Sequence, residues 1–173
     1  MRKVVGAVFR GGGMNTFMPD EMVVTQGPEQ TRALAQRLAG ELGPGSVLAL
    51  HGEVGSGKTC FVQGLARALG VRGPISSPTF ILVNEHAGRL PLFHVDLYRI
   101  RSEEEADTLA FEEYLESDGV TVVEWAERAA ALWPARTVHL YFQIGDHPDT
   151  RLITIRRPCP AAAVAPSSLR HRE

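Results

Sequence analysis

Apolar positions along the chain follow two periods, and the switches between them lay out the elements. Thr31, Leu34, Ala35, Leu38 and Leu42 recur at helical spacing, which predicts a helix entered through Gly27 and Pro28 and stopped by Gly43-Pro44-Gly45. Phe61, Leu65 and Leu69 mark a second helix that ends at Gly70. Between these helices residues 46–50 form an unbroken apolar run of strand length, and residues 120–124 form another that closes on Glu124. A short strand around Val23 and Val24 precedes the first helix. Residues 80–85 and 90–97 read as a hairpin around a turn at 86–89, with Leu92, His94 and Asp96 on one face and Phe93, Val95 and Leu97 on the other. Ser102 and the acids Glu103, Glu104 and Glu105 form a capping box that opens a helix to about residue 115. A short helix over 126–132 ends at Pro134, and strands over 137–144 and 152–156 flank a turn at 145–149. Strands alternating with helices predict an α/β fold around one central sheet, mixed because hairpins add antiparallel pairs to the parallel ones.

Length and composition set the frame for this pattern. With 173 residues, 44% hydrophobic and 22% charged, the chain fits one globular domain with a substantial core and no second one. The domain is expected over residues 22–157, with a flexible leader at 1–21 and a disordered Ala- and Pro-rich tail at 158–173. Met14, Met18 and Met22, within or beside that leader, raise the hypothesis that translation begins downstream of Met1. A formal net charge of -2 leaves no basic footprint for DNA or RNA, although Arg151, Arg156 and Arg157 could make a local patch. Cys60 and Cys159 have no partners at disulfide or zinc spacing, and the six histidines show no metal-ligand pattern. No apolar stretch could span a membrane, and the apolar run at 4–9 is too short for a signal peptide, so a reducing cytoplasm is expected.

The chemistry concentrates after the first central strand. Gly52, Gly57, Lys58 and Thr59 satisfy G-x-x-x-x-G-K-[ST] in His51-Gly52-Glu53-Val54-Gly55-Ser56-Gly57-Lys58-Thr59, with a strand before the motif and a helix after it. Such a loop bends tightly around a polyphosphate, points successive N–H groups inward, and adds the positive end of the following helix. In this setting the fold is a single domain of the P-loop NTPase type. Lys58 would neutralise the outer phosphates of the bound polyphosphate and Thr59 would offer its hydroxyl to Mg2+. Cys60, at the helix start, would be either a thiol of lowered pKa or a small packed residue.

A phosphate loop needs an acidic partner to hold the metal opposite Thr59 and to orient the attacking group. Glu124 and Asp96 each close an apolar strand, where the strand ends of such a sheet meet the ligand crevice. Their roles in metal binding and water orientation stay open between them, and both could instead cap helices or pair with Arg99 or Arg101. Thr79, in Ser77-Pro78-Thr79-Phe80, is placed to sense the terminal phosphate, unless that segment is a plain proline turn.

The ordered set of the phosphate loop, Ser77-Pro78-Thr79-Phe80, His94-Val95-Asp96-Leu97-Tyr98-Arg99 and Val123-Glu124-Trp125-Ala126 resembles the bacterial TsaE family over about residues 23–156. The resemblance implies a weak Mg2+-dependent ATPase that docks on the TsaB and TsaD proteins and supports their turnover in threonylcarbamoyladenosine modification of tRNA. TsaD would transfer the group, and tRNA would be reached through those partners. The same resemblance implies a cradle for the phosphates of ATP at Gly55, Ser56, Gly57, Lys58, Thr59 and Cys60, metal contacts at Thr59 and Glu124, a mechanistic role for Asp96, and either partner coupling or packing for Trp125. Two departures are Ala126, where the family often has proline, and the two chain ends. The rival readings are a small-molecule kinase, which would need a lid and an acceptor pocket, and a nucleotide-gated adaptor with incidental hydrolysis. A guanine-nucleotide switch is disfavoured because no [NT]-K-x-D follows the loop.

Overall fold

The computed structural model describes residues 2–5, 17–107, 109 and 111–159. Eight strands make one sheet: β1 (Arg2–Val5), β2 (Glu21–Gln26), β3 (Ser46–His51), β4 (Val83–His86), β5 (Leu92–Asp96), β6 (Val120–Glu124), β7 (Val138–Ile144) and β8 (Thr150–Arg156). Their spatial order is β1-β2-β8-β7-β3-β6-β5-β4. The four central strands, β7, β3, β6 and β5, run parallel, and every pairing outside them is antiparallel. The mixed sheet expected from the hairpins is therefore observed, and the antiparallel pairs lie at both edges.

Two helices, α1 (Pro28–Ala39) and α2 (Lys58–Ala68), cover one face. Leu34, Leu38, Phe61, Leu65 and Leu69 pack there against Leu48, Leu50, Val120, Val122, Leu140 and Ile153. The other face is covered by α3 (Glu103–Asp107), α4 (Glu112–Leu115) and a 3-10 helix over Ala126–Leu132. Val47, Ala49, Val95, Leu97 and Val123 meet Ala106, Phe111, Leu115 and Ala126 on that side. The continuous apolar runs of β3 and β6 reflect this double cover, because a strand buried on both faces cannot alternate.

Several boundaries differ from the pattern reading. Residues 102–115 do not form one helix. Ala106 and Leu115 both belong to the same buried cluster, yet nine residues of continuous helix would turn them about 180° apart. The break between α3 and α4 lets both reach the sheet. The capping interaction itself is present, with Glu105 N–H on Ser102 Oγ at 3.2 Å and Glu105 Oε2 accepting from Arg101 N–H at 2.9 Å. Residues 80–82 leave the expected strand because Ile81 and Leu82 both donate to the Pro78 carbonyl, a turn that carries Leu82 to φ 67°. The first helix stops at Ala39, where Gly40 N–H folds back to the Arg37 carbonyl. Residues 2–5, assigned to the leader from sequence, form β1 and pair antiparallel with β2, and Phe17 bridges to Pro158. The expectation for 6–16 and for the tail from residue 160 lies outside the described residues.

The basic patch expected from Arg151, Arg156 and Arg157 is not a free cationic surface. Arg156 forks onto Asp20 at 3.0 and 2.9 Å, Arg157 pairs with Glu21 and Glu41, and Arg151 is bound to backbone carbonyls. On the β7 side of the sheet, the rings of His51, Tyr141 and His139 pack together, with His51 Nε2 and His139 Nδ1 3.0 Å apart. Among the described residues, no helix is long and apolar enough to cross a membrane.

Two outcomes follow from this packing. α1 and α2 touch at Gly64, where an added Cβ would meet the Arg32 carbonyl oxygen at 2.5 Å and its Cα at 2.6 Å. Gly64→Ala is expected to cost about 1–3 kcal/mol of folding free energy through overpacking, read from the urea midpoint. An unchanged midpoint would show that the helices separate freely. Burial, with help from the neighbouring His51 and Arg156 charges, lowers the His139 pKa to about 4. The unfolded chain therefore binds more protons than the folded one between about pH 6.5 and pH 4. Stability is expected to fall as pH drops through that window, and His139→Gln should flatten the dependence in thermal melts recorded against pH.

Candidate functional site

β3 delivers the chain to a loop that only glycine can follow. Gly52, Gly55 and Gly57 have φ of 138°, 75° and 104°, in the region that L side chains rarely enter. At Gly52 space is also lacking, because a Cβ would lie 2.5 Å from the Phe142 carbonyl oxygen. Gly57 stands at the N-terminus of α2, and no side chain among the described residues caps that helix. Its first N–H groups are thus left for an anion. Arg151, reaching over from β8, donates from Nε to the Ser56 carbonyl at 3.1 Å and from Nη2 to the Gly55 carbonyl at 3.0 Å. Since C=O and N–H of a trans peptide point in opposite directions, this hold turns the Gly57 N–H away from Arg151.

Lys58 is the first residue of α2 and only 4% exposed. Its ammonium donates to the carbonyls of Gly52 and Glu53 within the loop and lies 3.9 Å over the Trp125 ring. Burial lowers its pKa, and the nearby Glu124, Glu127 and Asp96 carboxylates oppose that shift. Thr59 donates its hydroxyl to Glu124 Oε2 at 3.0 Å. The other oxygen of Glu124 meets His94 Nε2 at 2.9 Å.

Asp96 and Glu124 are register partners at the ends of β5 and β6, both 2% exposed. Asp96 Oδ2 accepts from Thr79 Oγ1 at 2.8 Å and from Ser77, while Oδ1 accepts from Tyr98 N–H at 2.8 Å. Both carboxylates, Lys58, Thr59, Cys60 and Thr79 line one cavity of about 430 Å³, together with Gly55 and Gly57. Gly52 and Ser56 lie on the other side of the loop, beside a second cavity of about 440 Å³ walled by His51 and Tyr141. Cys60 Sγ donates to the Pro28 carbonyl at 3.4 Å, and burial raises its thiol pKa. Of the two readings of Cys60, the structure favours the packed residue over the activated thiol.

Three contributors were not assigned a role in the site from sequence. Ser77 shares the hold on Asp96 with Thr79, and its place in Ser-Pro-Thr was the available signal. His94 sits on the same strand face as Asp96, two residues earlier, a period that could have flagged it. Arg151 belongs to a distant strand, and nothing local marks it. Trp125 adopts φ 61°, a left-handed conformation, and its ring contacts Tyr98 with centroids 5.0 Å apart.

The donor set suits a magnesium–nucleotide complex. Among the described residues, no cluster of three or more His, Cys, Asp or Glu could hold a metal by itself. A hydroxyl and one carboxylate beside a phosphate cradle are what Mg2+ uses when phosphates and waters supply the other ligands.

Comparison with known proteins identifies the family. The family model for threonylcarbamoyl adenosine biosynthesis protein TsaE matches residues 25–153. A Bacillus subtilis protein named tRNA threonylcarbamoyladenosine biosynthesis protein TsaE is 40% identical over 132 residues, covering 75% of this chain and 81% of that one. A Treponema pallidum protein of the same name is 44% identical over 100 residues, covering 58% of this chain and 74% of its own. The crystal structure of Bacillus subtilis YdiB superposes with a TM-score of 0.71 at 32% identity, over 83% of this chain and 88% of that one. With the family model spanning the phosphate loop, both strand-end carboxylates and β7, the chain belongs to the TsaE family.

Proposed function

We propose that this protein is a Mg2+-dependent ATPase of tRNA threonylcarbamoyladenosine biosynthesis that docks on TsaB and TsaD and supports their turnover without transferring the group itself. One observation carries the reading: the lysine and threonine of a phosphate loop share a single cavity with two buried strand-end carboxylates. ATP would lie with its phosphates against the loop glycines and the start of α2. Lys58 would exchange its two loop carbonyls for the outer phosphates. When bound, Mg2+ would supply charge neutralisation at the terminal phosphates, held by Thr59 and Glu124. In hydrolysis a water oxygen bonds to the γ-phosphorus and the bond to the ADP oxygen breaks, so ADP and inorganic phosphate leave.

Asp96 connects this event to the surface. Its carboxylate holds Thr79 and Ser77, and the next residues, Phe80 and Ile81, are 81% and 65% exposed. Large apolar side chains beside a segment tethered at the cavity favour an ATPase that acts on a protein partner over one that phosphorylates a metabolite.

The deciding experiment is Mg2+-ATP hydrolysis by the purified protein, alone and with TsaB and TsaD, while threonylcarbamoyl incorporation into tRNA is followed over many turnovers. Hydrolysis is expected to rise in the complex. Lys58→Ala should weaken ATP binding by about 1.5–3 kcal/mol, roughly ten- to a hundredfold, and stall modification. Glu124→Ala and Asp96→Ala should still dock yet fail to support repeated rounds. Full multiple-turnover activity from both would refute the catalytic assignment, and hydrolysis and modification that ignore the partners would remove the pathway assignment.

A further inference from the structure

We infer that His94 is a positioning residue for the magnesium site: it locks the Glu124 carboxylate so that Oε2 stays on the Thr59 hydroxyl. The inference rests on the ATPase reading above and adds to it a residue that touches neither nucleotide nor metal.

The strand register places the ring. His94, Asp96 and Glu124 all lie on the face of the sheet that packs against α2, because they share parity with Leu92 and Val122 in the cluster beneath that helix. The His94 side chain is fully buried. Its Nε2 lies 2.9 Å from Glu124 Oε1, and a carboxylate oxygen can only accept there, so Nε2 carries the hydrogen. The other ring nitrogen, Nδ1, is buried without a hydrogen-bond partner among the described residues. Glu124 is thus the one polar contact that the imidazole makes among the described residues. An unpaired ring nitrogen in the core carries a desolvation cost that an apolar side chain of equal volume would avoid. That cost is incurred for a single hydrogen bond, the one that orients Glu124.

The consequence for the metal lies in how the two carboxylate oxygens are divided. Oε1 is occupied by His94 and Oε2 by the Thr59 hydroxyl hydrogen. A hydroxyl that donates its hydrogen to Glu124 keeps its lone pairs for a cation. If His94 let go, Glu124, 2% exposed, would hold an unpaired oxygen in the core. It would relieve this by rotating, with the Lys58 ammonium as the nearby attraction. The Thr59 hydroxyl would then lose its fixed direction. Partners of this second rank alter metal affinity by about 10–100-fold in other sites.

The amide pair His94→Gln and His94→Asn tests this. Gln extends an N–H donor to about the position of Nε2, whereas Asn reaches only to that of Nδ1. Binding of adenylyl imidodiphosphate to the full chain would be measured calorimetrically in EDTA and across a Mg2+ titration, with thermal melts as a check on folding. His94→Gln is expected to keep the wild-type Mg2+ dependence. His94→Asn should need about tenfold more Mg2+ or beyond for the same gain in affinity, with binding in EDTA unaltered. Equal Mg2+ dependence in the two variants, or a loss as large in EDTA as in Mg2+, overturns the inference. Should His94→Asn not fold, His94→Leu, which fills the space without a donor, takes its place, and a folded His94→Leu with the Mg2+ dependence of His94→Gln overturns the inference. Thr59→Ala and Glu124→Gln separate the two levels. If both abolish the Mg2+ gain while the His94 variants match wild type, only the role of His94 fails. If neither changes it, the magnesium site fails and the inference falls with it.

Discussion

Parallel pairing in register brings the site together. Leu50 lies opposite Glu124 and Glu124 opposite Asp96, so β3, β6 and β5 end at one level. The phosphate loop leaves the first of these strands, and the two carboxylates close the other two. A crevice at the carboxyl ends of parallel strands is the general consequence of this topology. Here it is narrowed by α2, whose first turn carries Thr59 to within hydrogen-bonding distance of Glu124 and Lys58 back onto the phosphate loop. A shift of register by one residue would turn both acids to the opposite face, away from α2. The antiparallel strands at the edges contribute indirectly, since β8 supplies the arginine that braces the loop from behind.

Placing an ammonium and two carboxylates in nearly complete burial requires that each be satisfied. Lys58 is held by loop carbonyls and the Trp125 face, Glu124 by Thr59 and His94, and Asp96 by Thr79, Ser77 and the Tyr98 amide. These contacts come from the phosphate loop, α2, β5, the residues that follow β5 and β6, and the loop before β4. The network therefore ties both sides of the cavity to the sheet, and its members cannot be treated as independent.

Much of this was legible in the residues because the strongest signals are local. β6 appears over the same residues as its apolar run, and β3 extends its run by one, since strands buried on two faces leave unbroken hydrophobic stretches. The phosphate loop was visible because its glycines answer a backbone demand that other residues meet poorly. The helix break between α3 and α4 was hidden, since it depends on where Ala106 and Leu115 must both reach across the sheet. The turn at Pro78 was hidden too, because residues 80–82 carry the apolar character of a strand while the Ile81 and Leu82 N–H groups donate to the Pro78 carbonyl. Arg151 had no chance of discovery from spacing, as it acts on a loop 95 residues away.

Trp125 follows the last residue of β6, and in an extended chain its ring would point to the face opposite Glu124. The left-handed turn at φ 61° cancels that alternation, so both side chains line the same cavity. Such a conformation costs a bulky residue roughly 1–2 kcal/mol. Glycine would occupy it freely but would bring no ring to lie against Lys58. At this residue the needs of the backbone and those of the cavity are opposed, and the fold has given up some of its own stability to place an aromatic surface where a charge is held.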